Sequence, residues 1–323
     1  MRVVLSAFIR YYEFLKYFKV ENILASQHYR EQIKKAIQYT EECPDIPVNL
    51  IIDSGAFSAW NANEEVDFDD YLAFVKTFDK EHRHKFNEVW YVNLDVIPGK
   101  KGESHISKDM IQHAADLGFE NYLKFKEAGF DNVIHVIHQG EDLTVLKRLV
   151  DTNPLYIGIS PSNDVMTASR KKWLDEVFQY TPKHIKTHGF AVTSMTLMRS
   201  FDWFSVDSTS WFMMGVYGKL YIPVDTAGKI ITDTSTPIAD SLILSISPAK
   251  INAGDGYNTY MKKNSSIIKE IDKYIEYLCT TLPITPAHLF DERNEARVMC
   301  NLLVFMRYQQ QKHMCDYEAQ TLF

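Results

Sequence analysis

The chain has only four cysteines, Cys43, Cys279, Cys300 and Cys315, and no Cys-x-x-Cys among them. That spacing argues against a disulfide framework and against a dedicated zinc knuckle. Three of the four lie in the last quarter with His288 and His313, so a scattered metal site stays open there, buried free thiols being the simpler reading. No stretch approaches the ~18 uninterrupted apolar residues of a membrane span. The opening Met1-Arg2-Val3-Val4-Leu5 is soon interrupted by Arg10 and polar aromatics, which does not read as a signal peptide. A soluble cytoplasmic protein with no membrane partner is expected. No internal repeat or low-complexity segment is visible, and no glycine-rich phosphate fingerprint follows the first strand. Basic charge is scarce too: the net charge is −7, which excludes a generally basic coat but not a local basic groove. The candidates for such a groove are Arg170-Lys171-Lys172, the Lys183 to Lys186 segment and Lys262-Lys263, each with a solvated surface face as its plainer reading.

What is present is an alternation of strand-like and helix-like segments, with 46% hydrophobic residues to build a core. Residues 22–27 read as a first short strand and 28–43 as a helix. The run Val48 to Ile52 ends abruptly at Asp53, followed by Ser54-Gly55-Ala56-Phe57. Residues 67–85 carry Phe68, Tyr71, Leu72, Val75 and Phe78 at helical spacing. Further strands are predicted at 89–95, 132–140, 155–160, 185–192 and 203–207, with helices at about 107–128, 164–181 and 194–201 between them. Gly218 to Thr232 alternates and reads as a β-hairpin inserted at about 217–233. Ser241 to Ser247 is a candidate closing strand, and helices at about 258–281 and 286–312 finish the chain.

Strands alternating with helices mean a parallel sheet. Glycines and polar groups recur after nearly every strand, which favours a closed barrel over a doubly wound sheet. The fold expected is α/β: a (β/α)8 TIM-like barrel over 1–250 with the inserted hairpin, and a C-terminal helical part, 251–323, packed on it.

In such a barrel the carboxyl ends of the strands surround one mouth. The predicted ends are Asp53, Asp95, Gln139-Gly140, Gly158, His188-Gly189 and Asp207. Three carboxylates in one pocket should have separated pKa values, which suits a nucleophile, an acid/base and a recognition group. Carboxylate chemistry of this kind fits a reaction at an anomeric carbon, where an oxocarbenium-like transition state needs a negative partner and the leaving group a proton. The plainer readings are that Asp53 and Asp95 cap or bond local backbone, that Asp207 is a hydrogen-bonded structural residue, that Gln139 closes a loop, and that Phe57 and His188 are core.

These residues resemble, in order, the motifs of the tRNA-guanine transglycosylase (queuine/archaeosine tRNA-ribosyltransferase) superfamily. Asp53-Ser54-Gly55-Ala56-Phe57 resembles its Asp-Ser-Gly-Gly-Phe/Tyr signature. Leu94-Asp95 resembles its Phe-Asp, His138-Gln139-Gly140 its Val-Gln-Gly, Ile157-Gly158-Ile159 its base-facing glycine segment, and Val206-Asp207-Ser208 its Phe-Asp-Cys. The resemblance spans about 50–232. It departs in lacking the family's zinc-binding cysteines and in carrying Ser210-Trp211-Phe212 after the nucleophile position. These departures resemble the divergent phage-type 7-deazaguanine DNA transglycosylases (DpdA-like), whose members work in a host cytoplasm.

The resemblance implies exchange of guanine in a nucleic acid, DNA by preference, for a 7-deazaguanine (preQ0-like) base as co-substrate, with no other cofactor evident. The target base is turned out of its strand first. Asp207 is then the nucleophile and Asp53 the acid/base. Asp95 reads the base donors, Gln139, Gly140 and the Gly158 backbone serve its O6 side, Phe57 stacks, and His188 lies nearby. Arg170, Lys171, Lys172 and Lys186 are the expected nucleic-acid contacts. The alternatives are the same exchange on tRNA, a non-catalytic nucleic-acid- or base-binding partner subunit, and an unrelated sugar hydrolase. The sequence leaves a homodimer open.

Overall fold

The computed structural model describes residues 1–99, 101, 106–192, 194–246 and 265–321, with side chains described over that set except at 265–269 and 312–321. Eight parallel strands close into a barrel in chain order: β1 Arg2–Leu5, β2 Asn22–Ser26, β3 Asn49–Asp53, β4 Glu88–Val92, β5 Val133–His138, β6 Tyr156–Ser160, β7 Lys186–Gly189 and β8 Ser205–Ser208. The helices between them are α1 Tyr12–Phe18, α2 Arg30–Glu42, α3 Ala56–Ala62, α4 Phe68–His82, α5 Lys108–Glu127, α6 Leu143–Asp151, α7 Thr167–Tyr180 and α8 Met195–Ser200. This is the (β/α)8 barrel expected from the alternation.

The closing strand is not the one the sequence suggested. β1 completes the ring, pairing with β8 from Arg2↔Ser205 to Leu5↔Ser208. The run at 241–247 falls instead on β10 Asp240–Ser245, antiparallel to β9 Lys219–Val224. The hairpin turn expected near Ala227-Gly228 exists. Gly228 has φ +77, and the Asp225 carboxylate accepts from the Ala227 and Lys229 amides at 2.9 Å. Only the bridge Val224↔Ile230 pairs across that turn, however, and the strand that runs along β9 comes from 240–245.

Compact packing divides the chain into the barrel unit, Arg2–Val192 with Leu197–Ser208, and a second unit of Met1, Thr193–Thr196 and Thr209–Phe323. The domain boundary expected at 250 falls outside the described residues. In the second unit Asn301, on the helix Glu295–Thr321, accepts from the Tyr221 amide at 2.8 Å and donates to the Lys219 carbonyl at 3.1 Å, fixing that helix to β9. The helix pattern expected over 286–312 is broken: Pro286–Phe290 is a separate short helix.

Inside the barrel, Val4, Leu24, Ile51, Val92, Ile134, Val136 and Tyr156 form one buried cluster, with Trp90, Phe190 and Phe204 against it. Side chains alternate across a strand, so a residue two beyond a cluster member points to the same interior, one step nearer the carboxyl end. Asp53 follows Ile51, His138 follows Val136, Ser26 follows Leu24 and Gly158 follows Tyr156 in this way. Parity therefore delivers these residues to the mouth. Asp207, the next-to-last residue of β8, is in register with Val4 of β1.

Candidate active site

Asp53 ends β3, and the chain must turn sharply after it. Gly55 has φ +80, and a Cβ there would come within 2.5 Å of His28 Cβ, so no other residue fits without displacement. The Gly55 amide donates to Asp53 Oδ2 at 3.1 Å. Burial, then the charge of Asp95, and more weakly that of Asp207, push the Asp53 carboxyl up to about 6, against the Gly55 amide and the nearby Ser26 hydroxyl. Asp95 and Asp207 therefore both stand close enough to act on Asp53. Among the described residues, no group of three His, Cys, Asp or Glu has the spacing to hold a metal ion.

Asp95 follows β4 on a segment held by its neighbours. Asn93 Nδ2 donates to the Gly118 carbonyl at 2.8 Å and lies 3.0 Å from His135 Nδ1, while Asn121 Nδ2 donates to the Leu94 carbonyl at 3.1 Å. Burial lowers His135 to about 4, so it packs neutral behind the segment. On the mouth side, His138 Nε2 stands 3.3 Å from Asp95 Oδ2. Burial is the largest influence on His138 and opposes its charge. The hydrogen bond and charge of Asp95, with the charge of Glu141, outweigh it and raise His138 to about 9. Burial likewise pushes Glu141 up to about 7, against the neighbouring His138 charge, and its Oε2 is buried with no partner among the described residues.

Asp207 is buried in the wall of β8. Its Oδ1 accepts from the Ala191 amide at 2.8 Å and lies 3.6 Å from His188 Nε2. Ala191 has φ +52, left-handed for a residue with a Cβ, and its amide is thereby spent on the carboxylate. His188 Nδ1 bonds the Ser205 hydroxyl, which also bonds the Tyr156 hydroxyl.

The remaining expected residues fall in several places. Gly158 faces the interior, but a Cβ on it would meet Phe190 Cε2 at 2.6 Å. The glycine makes room for that ring, which packs edge-on to His188 at 4.4 Å and against the buried cluster of the barrel. Gln139 is engaged by the β6–α7 loop: Oε1 accepts from the Ser162 amide at 3.0 Å and Nε2 donates to the Ser169 carbonyl at 3.5 Å. Gly140, exposed at φ +117, serves the turn after β5. Phe57 is 67% exposed at the start of α3 and stacks on Trp60 at 6.1 Å, so it is rim and not core. Lys171 and Lys172 are exposed on the first turns of α7, on the mouth side, and Arg170 is tied to Asn163 and Thr167.

Lys186 is not with them. It begins β7, at the opposite end of the barrel, 3.9 Å from Glu88 and over the rings of Phe204 and Trp90 at 4.5 and 5.1 Å. Arg2 pairs with the same Glu88 at 2.9 Å, closing that end with charge.

The sequence reading missed three contributors. Phe190 gave no signal before its contact with Gly158 was known. Ser26 ends β2, as Asp53 ends β3, and strand position alone would have found it. His138 stood inside a quoted motif without being assigned to the site. An open cleft of about 490 Å³ is lined by residues that include Gln27, His28, Arg30, Glu64, Asp67 and Asp70.

No protein-family model matches the sequence, and no curated protein does. Among solved structures, 3-hexulose-6-phosphate synthase from Salmonella typhimurium aligns at TM-score 0.39 and 13% identity, over 66% of this chain and 90% of that one. A likeness that distant does not bear on the chemistry here.

Proposed function

We propose that the barrel is a glycosyltransferase of the pentosyl type that exchanges guanine in a nucleic acid, DNA by preference, for a free 7-deazaguanine. The observation that carries this reading is that Asp53, Asp95 and Asp207, from the carboxyl ends of β3 and β8 and the segment after β4, lie close enough that the last two add to the burial that raises Asp53 to about 6. A carboxyl that titrates near neutrality beside two carboxylates can give and take a proton within one cycle.

Asp207 Oδ2 attacks C1′ of the flipped-out nucleotide. The C1′–N9 bond breaks, its electron pair leaves with the base, and Asp53 supplies the proton that neutralises it. The 7-deazaguanine N9 then attacks C1′ on the same face, the ester to Asp207 breaks, and Asp53 takes the proton from N9. Two displacements retain configuration. Asp95 accepts from N1–H and the exocyclic amine through its oxygen not held by His138. Phe190 forms an apolar floor over which the base lies, and Lys171 and Lys172 meet phosphates at the rim.

The test is incubation with labelled guanine and either duplex DNA or tRNA. Label entering DNA supports the reading. Label entering tRNA alone keeps the chemistry and removes DNA as the substrate. Label entering neither, under conditions where the folded protein binds the polymer, refutes the exchange.

A further inference from the structure

Below Asp207 lies a line of buried polar groups that the exchange chemistry leaves unused. The Tyr156 hydroxyl bonds Ser205 Oγ, Ser205 Oγ bonds His188 Nδ1, and His188 Nε2 faces Asp207 Oδ1 at 3.6 Å. All of these side chains are buried, His188 completely. The four come from β6, β7 and β8, and the register sets them side by side: Gly158↔His188 and His188↔Ser205.

The direction of the protons along this line follows from counting donors. A buried hydroxyl must donate to something, since an unpaired one costs about 1–3 kcal/mol. Among the described residues the Tyr156 hydroxyl has Ser205 Oγ as its hydrogen-bond partner, and burial holds its phenol well above the usual range, so it donates. Ser205, having accepted, passes its own proton to His188 Nδ1. The imidazole proton is then on Nε2. The opposite arrangement would turn an Nε2 lone pair toward a carboxylate oxygen from a fully buried ring, which is repulsive. Nε2 has no hydrogen-bond partner among the described residues, and the nearest acceptor facing it is Asp207 Oδ1.

We propose that His188 is a positioning residue for Asp207: locked by Ser205 and Tyr156 as its Nε2–H tautomer, it directs that proton at Oδ1 and leaves Oδ2 as the attacking oxygen. Oδ1 then receives two donors, the Ala191 amide at 2.8 Å and His188 Nε2–H, while Oδ2 has no hydrogen-bond partner among the described residues. One carboxylate oxygen is thereby held in the wall and the other keeps its lone pairs for C1′. The 3.6 Å separation is longer than a formed hydrogen bond. It closes as Asp207 is drawn into line by the substrate, as catalytic contacts commonly do on binding. The sequence placed His188 near the base; the geometry places it one residue removed, behind the nucleophile.

The term "attacking oxygen" rests on the proposed exchange; the tautomer does not, and the experiment separates the two. Long-range proton–nitrogen NMR on protein carrying nitrogen-15 histidine, without substrate, reads the protonated nitrogen of His188 directly. The expected result is that the neutral imidazole carries its proton on Nε2 with Nδ1 an acceptor, with Ser205→Ala and Tyr156→Phe giving mixed tautomers. A dominant Nδ1–H form of the neutral ring, or no change in Ser205→Ala, overturns the assignment. In single-turnover exchange, His188→Leu is expected to lower the rate about 10²-fold with KM little changed, as for loss of one preorganised donor. His188→Gln, which can offer N–H at the Nε2 position, restores at least a tenfold part of that loss. Equal losses in both variants also overturn the proposal. If no exchange is found at all, the proposed function fails while the NMR result still decides the tautomer.

Discussion

His138 Nε2 lies 3.3 Å from Asp95 Oδ2, so one of the three gathered carboxylates has a cation of its own. That pairing divides the labour of the mouth. Asp95 holds the His138 imidazolium, and Asp53, which has no such partner among the described residues, is the group driven toward neutrality.

The His138 proton provides the first check. Proton NMR titration should find it near pH 9, because Asp95 and Glu141 outweigh burial. In Asp95→Asn burial outweighs the remaining charge of Glu141, and the value should drop below the usual ~6.5. The sign for stability follows. A histidine raised in the folded state contributes stability below about pH 6.5 and loses it as the pH rises through 9. The stability gap between wild type and Asp95→Asn should therefore narrow over that window in urea melts. A His138 that titrates identically in both proteins would contradict the pairing.

Asp53 gives a slope of the same sign in a lower window. Its folded value, about 6, exceeds the unfolded 3.8, so the folded state holds the proton more tightly. Stability falls as the pH rises between those values, and the penalty is complete above 6. Asp53→Asn removes it. The variant should be more stable than wild type by on the order of 3 kcal/mol at pH 7.5 and by less than about 1 kcal/mol at pH 4. Guanine departure in the wild type should slow about tenfold per pH unit above 6, since the protonated carboxyl is the acid. Denaturation curves at the two pH values and a pH–rate profile check both.

Much of this was legible in the sequence because a buried parallel strand is a short apolar run, and one that stops at Asp53 or Asp207 announces its own end. Gly55 could be read in the same way, from the turn the chain must make. Strand β1 was not legible: four residues, Arg2 to Leu5, are too few to show a pattern, and only their pairing with β8 makes them a strand. The run at 241–247 misled for the converse reason, since alternation cannot say which strand is the partner. Lys186 could have been placed correctly, because a residue that starts a strand lies at the far end from one that finishes it. The roles of Phe190 and His138 depend on contacts across the barrel, at Gly158 and Asp95, which no local pattern encodes.

The mouth depends on a void kept open by glycine. Gly158→Ala would bring a Cβ within 2.6 Å of the Phe190 ring and 3.0 Å of Val136 Cγ2. The expected cost is about 1–3 kcal/mol, typical of overpacking. Phe190→Leu in the same chain should recover most of it, giving a coupling energy in a double-mutant cycle. Additive effects of the two changes would mean that the ring does not occupy that space.

Polynucleotide affinity should separate the lysines by their ends of the barrel. Lys171→Ala and Lys172→Ala should each weaken binding and flatten its salt dependence by about one unit of log–log slope. Lys186→Ala should leave the slope as it is, because its charge is spent on Glu88 at the other end. Fluorescence-anisotropy titrations over a range of salt concentrations read this. A slope that changes only in Lys186→Ala would place the nucleic acid on the wrong face.

The central claim is that Asp207 becomes covalently bonded to the sugar. The direct measurement is to mix the protein with guanine-containing DNA in the absence of free base, quench with denaturant, and map the protein–nucleic acid adduct by peptide mass spectrometry. The account predicts an adduct on the peptide carrying Asp207, present in the wild type and absent from a folded Asp207→Ala. An adduct that survives in Asp207→Ala, or that maps to Asp53 or Asp95, would contradict it.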